Sequence, residues 1–196
     1  MRSSGTGSHA PFAPDISRRS PESVSFEEAW EAAREGRDVP PRSAIDLRRF
    51  APFARWFAII EPDPHAVALP FRLTGSGFRE FFGHDLTGID YLTLADPSIR
   101  QLAYDCVMAC LKSPCGLWQA TPATTADGGS ILYEYTILPI AKAGGAPDHI
   151  VIFVNFEMKP TDDLPGLRQI EHSTVWHWLD IGFGVPPAHV GQAPFG

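Results

Sequence analysis

Hydrophobic positions along the chain change period several times, and each change marks an element. Phe26, Ala29, Trp30 and Ala33 recur three and four residues apart, the spacing of one helix face. Ser25-Phe26-Glu27-Glu28 has the S-x-x-E form of a capping box, which predicts a helix start, and Gly36 predicts its stop. After the break at Pro40 to Arg42, the apolar run Trp56 to Ile60 ends at Glu61-Pro62-Asp63-Pro64 and predicts a strand, with a second from Ala68 to Leu73. Phe78, Phe81 and Phe82 then fall at i, i+3 and i+4 between Gly75-Ser76-Gly77 and Gly83, a short helix with one aromatic face.

The clearest helix follows Asp96-Pro97, a capping residue and a first-turn proline. Ile99, Leu102, Ala103, Cys106, Val107, Cys110 and Leu111 form its apolar stripe, which runs to Pro114. Beyond it the period becomes two, and Leu117 to Thr125, Ile131 to Ile140 and His149 to Glu157 predict an antiparallel meander with turns at Ala126 to Gly129 and Ala143 to Pro147. In its second strand Ile131, Tyr133, Tyr135 and Ile137 point one way, and Leu132, Glu134, Thr136, Leu138 and Ile140 the other. Ile150 to Val154 is apolar on both faces, so the sheet must be covered on both sides. Val175, Trp176, Trp178 and Leu179 lie at mixed spacing and predict an appended helix. Residues 1–22 predict a mobile tail, 23–158 the folded domain, and 159–196 an extension that is partly helical, then loose.

The 196 residues are 44% hydrophobic and 20% charged, enough for one ordinary core. A net charge of -7 argues against a general nucleic-acid or anionic-membrane surface, which needs a positive field. No apolar run approaches the roughly 18 residues of a membrane helix, and the N-terminus lacks an apolar signal centre, so a cytoplasmic location is expected. Cys106, Cys110 and Cys115 then read as reduced, buried thiols.

The segments FRLTGSGFREFFGHDLTG (71–88), TADGG (125–129), YEYTILPI (133–140) and PPRSAIDL (40–47), in this order, resemble the PAS domain family, in particular an alphaproteobacterial group of stand-alone PAS proteins. Gly77 departs from the pattern, since a larger residue is common there, and so does His84. The resemblance implies an α+β fold, a five-stranded antiparallel sheet with helices on one face and a cavity between them. An N-terminal capping helix and a C-terminal segment would be added to it. It places Phe78, Phe81, Phe82, Tyr91, Tyr104, Met108, Tyr133 and Tyr135 at a ligand cavity, and these aromatics either line the cavity or simply fill it. Phe26, Trp30, Leu138, Trp176 and Trp178 are the expected partner-binding residues.

Other chemistries find little support. The cysteine spacing lacks a usual zinc pattern, and the long helix has no histidine for haem. A light-sensing flavin domain would carry a reactive cysteine in an Asn-Cys-Arg-Phe-Leu-type segment, where this chain reads FREFFGHDLTG. No phosphate loop, nucleophile elbow or HExxH is present, and no catalytic residue or cofactor is expected. Glu134 is expected to pair with an arginine of the N-terminal helix. His172 sits in a superficial phosphoacceptor pattern with no ATP-binding domain after it. The expected function is a sensory or regulatory module that binds an unidentified small molecule or a signalling protein, works as a homodimer and transmits through its flanking helices. The alternative is a dimerisation or adaptor module with a packed cavity.

Overall fold

The computed structural model describes residues 19–126, 128–142, 145–156, 167–173 and 175–187. The tail before residue 19, Asp127 of the first hairpin turn, Glu157 at the end of the meander and the last nine residues lie outside them. Helix α1 spans Pro21–Arg34, α2 Leu47–Phe50, α3 Ser76–Phe82 and α4 Arg100–Lys112. The strands are β1 Phe57–Ile60, β2 Phe71–Thr74, β3 Gly116–Thr125, β4 Ser130–Ile140, β5 His149–Phe156, β6 Leu167–Ile170 and β7 Val175–Leu179. They form one antiparallel sheet in the order β2-β1-β5-β4-β3-β6, with β7 also paired to β3. The expected five strands are β1 to β5, which run from the β2 edge to β3, and the two C-terminal strands beside β3 widen the sheet to seven.

Alternation along β4 and β5 divides the core between two faces. Tyr133, Ile137, Ile150, Ile152, Val154 and Phe156 face inward, where α3, α4 and the 3-10 turn Tyr91–Leu94 cover them. Leu138, Ile140, Val151 and Phe153 face outward, beneath α1 and the segment from Phe50 to Phe57. This double cover explains why β5 is apolar from Ile150 to Val154. Phe26, Trp30 and Ala33 of α1 are fully buried against the outer face, and Trp30 Nε1 donates to the Pro139 carbonyl at 2.9 Å.

Two boundaries differ from the sequence expectation. Helix α1 starts at Pro21, with the Ser20 hydroxyl accepting from the Ser23 amide at 3.1 Å, and Ser25 is an exposed residue inside the helix. Residues 20–22 of the expected tail thus belong to α1 and its cap, because serine followed by proline is the stronger start once Ser20 has partners on the sheet. The C-terminal aromatic segment is not a helix. Leu117 pairs with Trp178 and Gln119 with Trp176, so these tryptophans share a strand face, two residues apart, along the edge of β3.

Gly75 and Gly77 let α3 approach the 3-10 segment Ala51–Trp56. A Cβ on Gly75 would lie 2.0 Å from the Ala54 carbonyl oxygen, and one on Gly77 would lie 2.8 Å from Arg55 Cγ and from the Trp56 ring. A larger side chain at position 77 has no room here.

Candidate functional site

Two adjoining cavities lie between the inner sheet face and its helices, each of about 50 Å³. The first is walled by Ile99, Leu102, Ala103, Cys106 and Val107 from the α4 side and by Ile60, Leu117, Gln119, Tyr135, Ile137 and Ile152 from the sheet. Ile170 to Ser173 and Trp176, on β6, β7 and the loop between them, close its remaining side. The second is bounded by Trp56, Phe71, Phe78, Phe81, Phe82 and Leu86, with Tyr133, Val154 and Phe156 beneath. Tyr91 and Tyr135 line both and stand between them.

The aromatic face of α3 therefore borders a cavity, as do Tyr91, Tyr133 and Tyr135. Tyr104 and Met108 do not. On α4 the cavity side is set by Ala103 and Val107, and one further residue rotates a side chain by about 100° around the axis. Tyr104 instead lines an open hollow with Val67, Asp90 and Thr93, and Met108 borders neither cavity. Of the expected partner residues, Phe26, Trp30 and Leu138 are interior, at 0%, 1% and 1% exposure, because α1 covers the outer face within the same chain. Trp176 lines the first cavity, and Trp178 packs against the same inner core.

A polar chain crosses this otherwise apolar site. The Tyr135 hydroxyl donates to Gln119 Oε1. Ser173 Oγ donates to the same oxygen at 2.8 Å, and Thr121 Oγ1 lies 2.8 Å from Ser173 Oγ. Burial pushes the Tyr91, Tyr133 and Tyr135 hydroxyls above the ordinary phenol range, so they stay protonated near neutral pH. Gln119 and Ser173 were missed in the sequence. The signal for Gln119 was a polar residue at an inward position of β3, while nothing in the sequence joins Ser173 to it across 54 residues.

On the outer face, Glu134 is 5% exposed and accepts from Ser23 Oγ at 3.0 Å, Trp118 Nε1 at 2.8 Å, the Ser20 amide at 3.2 Å and Asn155 Nδ2 at 3.3 Å. These uncharged donors take the place of the expected arginine. They satisfy the carboxylate at the start of α1, where the helix dipole also favours negative charge.

Burial raises the Cys106 thiol to about 12 and the Cys110 thiol well above its usual range. All three cysteines are unpaired and buried, and among the described residues no three His, Cys, Asp or Glu side chains are grouped to hold a metal ion. His84 is exposed on a turn, with Nδ1 2.9 Å from the Phe82 carbonyl oxygen, and does not face a cavity. His172 lies at the mouth of the first cavity. Among the described residues no helix is long and apolar enough to cross a membrane.

The PAS domain family matches residues 18–153, and the chain belongs to this family. Among solved structures it is similar to the LOV protein of Rhodobacter sphaeroides, with 16% identity over 60% of this chain and 72% of that one and a TM-score of 0.43. It is also similar to a PAS domain from Colwellia psychrerythraea, with 14% identity over 58% of this chain and 98% of that one and a TM-score of 0.42. A LOV domain studied with a flavin analogue matches at 13% identity, over 58% of this chain and 84% of that one, with a TM-score of 0.44. No curated protein matches. A flavin does not fit the residues present: two cavities of about 50 Å³ are far below the roughly 300 Å³ that a site for a molecule of that size needs.

Proposed function

We propose that this PAS domain is a regulatory module that takes a small molecule between α4 and the sheet and reports its presence through the C-terminal strands. PAS domains are a family of sensory modules, and the particular route follows from the wall of the first cavity. Core helix, sheet and the β6–β7 connection meet there, and Ser173 of the connection is bonded to Gln119 of the sheet. A molecule entering this space changes the contacts of Ile170, Ser173 and Trp176 directly. The route through α1 is longer, since α1 lies on the opposite face and contributes to neither cavity. The output in this reading is a change in what the C-terminal strands present to a protein partner or a second copy.

Native mass spectrometry of protein purified from its own host tests the reading, under gentle and then denaturing conditions. The expected result is a constant extra mass per chain that is lost on denaturation. A bare chain in a stable dimer, with no ligand-dependent thermal shift, would instead favour a dimerisation module with a packed interior.

A further inference from the structure

We infer that the outer edge of β7 is a docking site for an extended segment of a partner protein, added as a further strand, in which lysine or arginine alternates with apolar residues. This deepens the reading above, in which the C-terminal strands meet a partner, and it does not need an occupied cavity.

The first observation is the edge itself. β4 takes one side of β3, and β6 and β7 share the other, so β7 ends the sheet there. Among the described residues, no backbone group of Val175 to Leu179 is bonded on the side away from β3. The opposite end of the sheet is closed. There the Phe71 amide of β2 donates to the Ile89 carbonyl at 3.0 Å, and the Phe71 carbonyl accepts from the Gly88 amide at 2.8 Å. β7 also lacks the features that keep an edge single, since VWHWL has no proline, lysine or carboxylate and pairs with β3 without a bulge. After Leu179 the chain turns toward α1, where the Ile181 carbonyl accepts from Arg34 at 3.1 Å, and so does not cover the edge.

The second observation is the charge beside this edge. A groove of about 460 Å³ runs between α1 and the end of β7, with Trp30, Leu138, Leu179 and Ile181 in its walls. Glu27, Glu28, Glu31 and Asp180 line it against Arg19, and Arg34 reaches Glu31 at 2.8 Å, which leaves an excess of two negative charges. Arg19 pairs with Glu27 Oε2, while Glu27 Oε1 is buried without a hydrogen-bond partner among the described residues. A second copy, edge to edge, would bring the same carboxylates to the seam in a chain whose net charge is already -7. Charge complementarity therefore favours a basic partner.

Alternation fixes what an added strand meets. Val175, His177 and Leu179 point to the outer face, and Trp176 and Trp178 to the inner one. A lysine or arginine beside Leu179 lays its alkyl stem along Leu179 and Ile181 and brings its charge to Glu28 and Glu31. Apolar residues on the other face pack against the two indoles, which are only partly buried.

The test uses the full-length, 15N-labelled chain without added ligand, and short peptides with blocked ends. One peptide alternates valine and lysine, one has glutamate in place of lysine, and one is the valine-lysine peptide N-methylated at every amide. The valine-lysine peptide is expected to shift the β7 amide resonances and slow their hydrogen exchange, and the N-methylated peptide to leave them unchanged. The glutamate peptide is expected to bind at least about tenfold more weakly. Glu28→Lys with Glu31→Lys, both at exposed positions, weakens the valine-lysine peptide about fivefold, as the loss of two surface ion pairs does. Equal binding of the lysine and glutamate peptides, or no weakening in the double variant, overturns the charge assignment. Binding of the N-methylated peptide overturns strand addition, and β7 amides unmoved by every peptide overturn the docking site itself. β7 amides protected in the free chain and released on dilution assign the edge to a second copy instead. The peptide comparisons use the unsubstituted, ligand-free chain, so their failure leaves the cavity reading in place, and a bare chain in native mass spectrometry leaves the edge reading in place.

Discussion

Glu134 joins the start of α1 to β3 and β5 by accepting from groups that carry no charge. A buried carboxylate without a cation is costly unless hydrogen bonds take up its lone pairs, and here they come from three parts of the chain. Glu134→Gln keeps the shape but turns one acceptor into a donor that faces other donors. It is expected to lower stability by about 1–3 kcal/mol, read as a shifted urea midpoint at unchanged slope. The cysteines show burial acting on a second kind of group. The thiolate is the reactive form, and both Cys106, at about 12, and Cys110 are raised, so ionisation is suppressed through pH 9. A thiol reagent such as Ellman's is expected to find almost no reactive group in the native protein at pH 8 to 9 and three after denaturation. Fast labelling of the native chain would show that α4 opens or that the thiols are not sealed.

At the scale of elements, α1 is held mainly by Phe26 and Trp30. The Phe26 ring lies 5.3 Å from Phe153, 5.4 Å from Phe53 and 5.9 Å from Phe50, one aromatic cluster spanning α1, α2 and the sheet. Trp30→Ala removes a fully buried ring and its bond to the Pro139 carbonyl, and about 3–5 kcal/mol of stability is expected to go with them. Thermal or urea unfolding measures this, and a loss below about 1 kcal/mol would mean that α1 is not docked in solution. The same scale shows why two elements misread. Two overlapping start signals precede α1, and the earlier one prevails because Glu134, more than a hundred residues away, bonds Ser20 and Ser23. Val175 to Leu179 is too short for periodicity to separate helix from strand, and the free edge of β3 settles it.

Across the whole molecule, the two faces of the sheet are distinct. The outer face is closed by α1, while the inner face retains space beside the C-terminal strands. Occupancy of the first cavity is therefore expected to slow amide hydrogen exchange over α4 and the segment from Leu167 to Leu179 more than over α1, with Trp176 emission changing in parallel. Protection confined to α1 would reverse the proposed direction of signalling.

Sequence by itself determined the PAS class, the order of the elements from α1 to β5, the aromatic face of α3 and the two-sided burial of β5, because these depend on local periodicity and on turn and capping residues. Tertiary structure alone decided that α4 presents Ala103 and Val107 rather than Tyr104 and Met108 to the cavity, since a helix with apolar residues on more than one side must be oriented by its neighbours. It alone made the C-terminal tryptophans part of the sheet and brought Ser173 to Gln119. Contacts between residues distant in the chain leave no period in the sequence, because the hydrogen bonds that form them exist only once the sheet has closed.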